Sequence, residues 1–212
     1  SRNETDSPPM PERISVLHAY PFFHRHGGVE RYVWELSHRQ APSMNVSIVA
    51  MEVEPVSNST ITLIPLWCPN ICRRALDLCF SLRVFLALTL TSLRSRHFIV
   101  HAHSASAFTA DVVTAHVCHL AWLRISLNEL RPWSFPWLKK VLNPQRLSSL
   151  LVEWCQYRLG RTRHIVAVSN GIRLDLIEQY GVDDHDIEVI YSGVDTKEFT
   201  PQLRATEGAR VR

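Results

Sequence analysis

Residues 14–36 read Ile-Ser-Val-Leu-His-Ala-Tyr-Pro-Phe-Phe-His-Arg-His-Gly-Gly-Val-Glu-Arg-Tyr-Val-Trp-Glu-Leu. The order of residue types in this stretch decides the fold class. Ile14, Val16 and Leu17 make a short apolar run that predicts a buried strand. Val29, Tyr32, Val33 and Leu36 recur at helical spacing and predict an amphipathic helix. Gly27 and Gly28 fall where that helix begins. The first amides of a helix have no intrahelical partner, and its dipole leaves that end partly positive. Glycine keeps a Cβ out of the way of an approaching ligand. Strand, Gly-Gly and helix therefore form a candidate phosphate or pyrophosphate site. The same pair also suits a plain tight turn, and the stretch alone supports both readings equally.

The pattern repeats along the chain. Apolar runs predict strands at 14–18, 46–51, 61–65, 98–101, 112–114, 164–168 and 187–190. Helical periodicity predicts helices at 29–39, 71–94, 146–161 and 170–180. In the last of these, Ile172, Leu176, Ile177 and Tyr180 share a face, and Gly181 ends it. Short apolar strands alternating with amphipathic helices imply an α/β, Rossmann-like fold, a mostly parallel sheet with helices on both faces. Ligands of such sheets bind at the carboxyl ends of the strands. There the chain places His18-Ala19-Tyr20, His101-Ala102-His103-Ser104 and Thr114-Ala115-His116.

His101 and His103 alternate along one strand and point to one face, with His116 and His119 soon after. Neutral imidazoles bind zinc or manganese well, so this spacing is compatible with a metal-dependent hydrolase. Only Asp111 accompanies them as a carboxylate, and we assign no metal. Structural histidines at strand ends are the plainer alternative.

Hydrophobic residues make up 46% of the 212-residue chain and charged residues 20%, which excludes disorder and suits a substantial core. Residues 1–13, polar and then proline-rich, read as a flexible tail without the apolar segment of a signal peptide. The lipophilic run 84–93 is too short to span a bilayer. Five scattered cysteines, with Cys68 and Cys72 the only close pair, indicate thiols in a reducing compartment and a cytoplasmic protein.

The stretch 120–164 stands apart. It holds Arg124, Arg131, Lys139, Lys140, Arg146, Arg158, Arg161 and Arg163 against Glu129 and Glu153 only, together with Trp122, Trp133, Trp137 and Trp154. Arginine and lysine beside tryptophan suit an anionic membrane surface or an anionic glycan. Arg131, Trp133, Trp137, Lys139 and Lys140 are the core of this patch. No nucleic-acid motif accompanies it, so nucleic acid is not expected as a partner. A solvated insertion with a few buried tryptophans explains the composition equally well.

Three motifs then combine: Gly-Gly-Val-Glu-Arg at 27–31, Val-Ala-Val-Ser at 166–169, and Ser-Gly-Val-Asp-Thr-Lys-Glu-Phe-Thr-Pro at 192–201. In this order and at these distances they resemble the first half of family 4 glycosyltransferases, retaining enzymes of the two-domain GT-B architecture. In the last motif Asp195 is placed to cap a one-turn helix, Phe199 to bury its ring and Pro201 to end it. Ser192 stands where the family usually has Asn, a polar turn residue in either case. The stretch 111–119 and the long insertion after it are most similar to the subgroup that adds sugars to lipopolysaccharide core.

The resemblance implies a nucleotide-diphosphate sugar as donor, a saccharide or lipid-linked glycan as acceptor, and no cofactor. It places His116 at the family's active-site histidine, facing the donor sugar. Gly27 and Gly28 become amide donors to the leaving diphosphate. His103, Ser104, Tyr20 and Arg31 line the cleft on the acceptor side. Only residues 104–110 are available between the fourth and fifth strands, where most members carry a full helix. It further implies a domain over 14–200, with 201–212 opening an interdomain linker and the second, donor-binding domain missing. On this reading the chain is the acceptor-side half of a retaining hexosyltransferase, inactive in isolation and peripheral on the inner face of the membrane. The alternatives are a non-catalytic domain or subunit served by a separate donor-binding partner, and the histidine-metal hydrolase.

Overall fold

β1 (Ser15–Ala19) runs through the centre of the molecule because every second residue must serve a different face of it. Leu17 and Ala19 join the larger apolar cluster, while His18 lies on the opposite face in register with Ile48 of the smaller one. The computed structural model describes residues 13–55, 60–69, 74–90, 98–159, 162–194 and 196. The expected one-turn helix at 195–201, the tail, the linker and Cys72 lie outside the described residues, apart from Arg13 and Thr196.

After β1 come β2 (Phe22–Phe23), α1 (Gly28–Gln40), β3 (Asn45–Ala50), β4 (Glu52–Val53), β5 (Ile61–Pro65) and α2 (Leu76–Leu90). Then follow β6 (Ile99–His103), β7 (Val112–Ala115), α3 (His119–Asn128), α4 (Phe135–Val141) and α5 (Pro144–Arg158). β8 (His164–Ala167), α6 (Asn170–Tyr180) and β9 (Ile187–Val189) complete the series. Seven strands form one sheet in the order β5-β3-β1-β6-β7-β8-β9, and every ladder among the described residues is parallel. β2 and β4 pair separately as a two-residue ribbon.

Helices cover both faces, as the alternation of strands and helices predicts. Val33 and Trp34 of α1 pack with Val46, Ile48 and Ile61 on one side. Phe80 and Val84 of α2, Tyr157 of α5, and Leu176 and Tyr180 of α6 pack with Leu17, Ala102, Val113 and Ile165 on the other. Phe23, Phe80 and Leu17 are wholly buried. Each such side chain contributes about 2–3 kcal/mol from the area it withdraws from water.

All seven predicted strands are present, with ends shifted by one or two residues. The predicted helix at 71–94 spans Leu76–Leu90, its first and last predicted residues falling among those not described. In the insertion α5 answers to the helix predicted at 146–161, and α3 and α4 are two further helices that no periodicity announced. Ser134 caps α4 by accepting from the Trp137 amide, and Asn143 caps α5 by accepting from the Arg146 amide. Each cap is followed closely by a proline, whose fixed φ suits a first turn. Ser169 caps α6, and Gly181 closes it in the left-handed conformation at φ 64°.

The connection from β6 to β7 carries no helix. Residues Ala105, Ser106, Ala107 and Ala110 of this short parallel crossover are buried. A chain this tight under the surface must have its polar groups met. Ser106 Oγ accepts from the His103 amide and donates to the Ala19 carbonyl, tying the ends of β1 and β6. Gln156 of α5 donates to the Ser104 carbonyl.

Candidate active site

The strand order reverses between β1 and β6, since β3 and β5 lie to one side and β7, β8 and β9 to the other. A crevice outside the carboxyl ends of the strands at such a point is the standard ligand position in open α/β sheets. β1 ends there at Ala19 and β6 at His103, and β7 leads into His116.

Four histidines gather on the α1 side of these strands. His18 and His101 are register neighbours, as are His103 and Thr114. The rings of His18 and His101 are 5.1 Å apart, those of His101 and His103 4.3 Å, and those of His103 and His116 6.1 Å. Tyr32, on the second turn of α1, sets its ring edge-on against His116 at 4.7 Å and His103 at 5.9 Å. Burial pushes the His18 pKa down to about 4, His101 to about 3 and His116 to about 4. His103, fully buried beside three other imidazoles, also lies well below the ordinary value. At neutral pH these are uncharged rings that hydrogen-bond rather than pair with anions.

Two nitrogens in this group are buried without a partner: His116 Nε2 and His103 Nδ1. A buried polar atom left unsatisfied costs about 1–3 kcal/mol, so these two nitrogens are the unmatched polar atoms of the histidine group. The Ser104 side-chain oxygen is a third such atom, on a residue held at φ 55°.

Gly27 caps α1 without a side-chain hydrogen bond, at φ 98°. A Cβ there would meet Glu30 Oε2 at 2.3 Å, whereas a Cβ on Gly28 would have nothing within 4 Å. The glycine pair thus divides its work: Gly27 makes the turn, and Gly28 leaves open space at the helix start. Glu30 shares this corner with Tyr20, whose hydroxyl is pushed upward by burial and then by that carboxylate. Arg31 is exposed one residue further along the helix.

The structure separates the expected residues into groups. Tyr32 joins His103 and His116, although its place in the apolar stripe of α1 marked it as core. His103 is wholly buried beneath Tyr32 rather than on an open wall. His119 leaves the set altogether. Its Nδ1 donates to Glu153 Oε1 at 2.7 Å, and its amide donates to the same carboxylate. The cluster that sequence spacing suggested, His101 with His103, His116 and His119, is therefore not assembled; His18 takes the place of the last two beside His101 and His103. Adjacency of β1 and β6 is the signal that finds His18, and spacing within one strand does not carry it.

In the insertion, Trp133 and Trp137 lie with ring centroids 5.1 Å apart. Trp133, Arg131 and Lys139 are exposed, while Lys140 Nζ donates to the Ser126 carbonyl at 2.8 Å. Arg146 lies over the Trp122 ring at 4.3 Å.

The architecture has solved relatives. WaaG, a glycosyltransferase involved in lipopolysaccharide biosynthesis, matches 93% of this chain and 51% of its own, with a TM-score of 0.69 at 14% identity. A glycosyltransferase from Rickettsia africae ESF-5 matches 94% of this chain and 50% of its own, with a TM-score of 0.47 at 19% identity. The chain thus spans about half the length of the solved structures it matches. At these identities the likeness to WaaG speaks for the fold alone. No curated protein matches the chain. The family itself follows from the sequence, because the model of Glycosyltransferase Family 4 matches residues 26–198. With the parallel sheet, the Gly-Gly helix start and the histidines at the switch point, the chain belongs to glycosyltransferase family 4.

Proposed function

We propose that the chain is the acceptor-side half of a retaining glycosyltransferase. It serves transfer of a sugar from a nucleotide-diphosphate donor to a saccharide or lipid-linked glycan. The observation that carries this reading is the orphaned Nε2 of His116, held neutral beside Tyr32 at the end of β7. A neutral imidazole there positions a sugar hydroxyl without drawing the diphosphate away from its own site. The open start of α1 at Gly28 offers amides to the diphosphate, and a donor-binding domain across the crevice supplies the remaining contacts.

The reading is tested with protein that supplies both halves, offered a panel of nucleotide-diphosphate sugars. Product with the donor's anomeric configuration, seen by proton NMR, is expected. Absence of transfer from every donor, or inverted product, overturns it. The isolated chain should transfer nothing.

Peripheral attachment to the cytoplasmic membrane face belongs to the same proposal. Its support is the exposed Arg131, Trp133 and Lys139 beside Trp137. Sedimentation with acidic vesicles should fall with added salt, and fall again in a Lys139→Glu, Lys140→Glu variant. Indifference to vesicle charge would leave the patch a solvated one.

A further inference from the structure

Three imidazoles in this sheet meet in a way that the sugar-transfer reading does not use. His18, His101 and His103 each present a nitrogen within 4.8 Å of the other two. His18 Nε2 donates to Gln40 Oε1 at 2.7 Å, which leaves its Nδ1 bare in the neutral ring. That Nδ1 sits 3.0 Å from His103 Nε2. Two nitrogens on one tetrahedral zinc, each at about 2.0–2.1 Å, stand roughly 3.3 Å apart. The pair is therefore already close to a ligand separation. His101 Nε2 is hydrogen-bonded to Thr114 Oγ1 at 2.8 Å, and one ring nitrogen of His101 lies within reach of the other two rings.

Rings oriented from behind by an oxygen partner are what metal-binding histidines require, since the rear hydrogen bond fixes both tautomer and angle. Gln40 provides it for His18 and Thr114 for His101. His103 donates from Nε2 to His18, and its Nδ1 has no such partner among the described residues. Burial also keeps all three rings neutral, the form in which imidazole binds metal.

We propose that His18, His101 and His103 form a binding site for a zinc-class divalent transition metal at the switch point between β1 and β6. The all-nitrogen donor set selects zinc, cobalt or nickel over magnesium or calcium, which take oxygen ligands. A bound ion would replace the His18–His103 hydrogen bond, and the proton that His103 Nε2 gives up would pass to Nδ1 or leave to solvent. His101, the one half-buried member, gives the route of entry. The ion would cross-link β1 to β6 and hold His103 beneath Tyr32. This proposal stands apart from the glycosyltransferase reading and needs no assay of transfer.

The test strips the full chain with a chelator, reloads it with cobalt(II), and counts metal by mass spectrometry after gel filtration. About one cobalt per chain is expected, with the visible absorption of a low-coordinate site and a raised thermal midpoint. His101→Gln should lose the metal while keeping its circular dichroism. No retained cobalt, or unchanged occupancy in His101→Gln, overturns the proposal. The second outcome would point to the exposed Asp183, His185 and Asp186 group. Should His101→Gln not fold, X-ray absorption on the wild-type cobalt protein decides. Three imidazole scatterers support the site, and an oxygen shell overturns it.

Discussion

Two buried polar clusters lie on opposite faces of the same sheet, and they are built on contrary rules. In one, the Glu153 carboxylate, 1% exposed, accepts from the His119 amide, from His119 Nδ1 and from the Tyr180 hydroxyl at 2.6 Å. It joins α3, α5 and α6, and its hydrogen-bonding capacity is spent within the protein. In the other, His18, His101, His103 and His116 carry no charge, and two of their nitrogens face nothing. A closed network of this kind fixes helices in place, whereas an open one has room for an outside partner. The contrast separates two uses of buried polarity: the Glu153 cluster closes on itself, and the histidine cluster leaves two nitrogens unmatched.

The largest effect should come from breaking the closed cluster. Glu153→Ala leaves the Tyr180 hydroxyl and both His119 donors unmatched, and should cost about 3–5 kcal/mol in denaturant unfolding. A loss below about 1 kcal/mol would show that the network is dispensable, and the contrast would fall.

The open cluster should answer in the reverse way. His116→Ala, in protein that supplies both halves, should lower turnover roughly 10²-fold, about 2.7 kcal/mol in the transition state, and raise the donor Michaelis constant by less. Its unfolding free energy should fall by less than that of Glu153→Ala, since Nε2 has no hydrogen bond to lose and only the ring contacts with Tyr32 and His103 go. Near-normal turnover with a large loss of stability would make His116 a structural residue like His119.

The sharpest discriminator is pH, because the two clusters titrate in opposite directions. Burial disfavours charged His119, but the hydrogen bond and charge of Glu153 outweigh it and raise its pKa. Its contribution is full below the unfolded value of about 6.5 and is lost as pH rises through the raised folded value. His116, lowered to about 4 by burial, contributes above about 6.5, and that contribution is lost as pH falls toward 4. Stability of wild type relative to His119→Gln should decline with pH, and relative to His116→Gln should climb. Slopes of the same sign would erase the distinction.

Much of the sheet was legible because each strand is a short apolar run that ends at a polar or turn residue. α6 was legible to the residue, since Ser169 and Gly181 mark both ends. α3 and α4 were not, because His-Leu-Ala-Trp-Leu-Arg-Ile-Ser-Leu-Asn shows little segregation of faces and α4 has no buried residue. The two-residue ribbon of β2 and β4 is too short to leave a pattern. That His103 and His116 lie at the ends of consecutive strands was legible from the strand pattern. The contact of His18 with His101 and His103 was not, because it depends on which strands are neighbours, nor was that of Tyr32, which depends on how α1 packs over them. Glu153 misled most: amid eight basic residues it reads as a solvated counter-charge, and it is buried by partners from α3 and α6.

Gly27 and Gly28 look alike in sequence, yet they answer to different masters. Gly27 is demanded by the chain's own geometry, since its φ of 98° is one that a residue with a side chain rarely adopts. Gly28 is demanded by nothing inside the molecule: open space surrounds it, and alanine would suit a first helical turn better by as much as about 1 kcal/mol. A protein that keeps the weaker helix former at a position with room to spare forgoes stability there. Gly28→Ala would therefore firm the start of α1 while placing a Cβ over its first amides, and the two consequences of that one methyl group are separable.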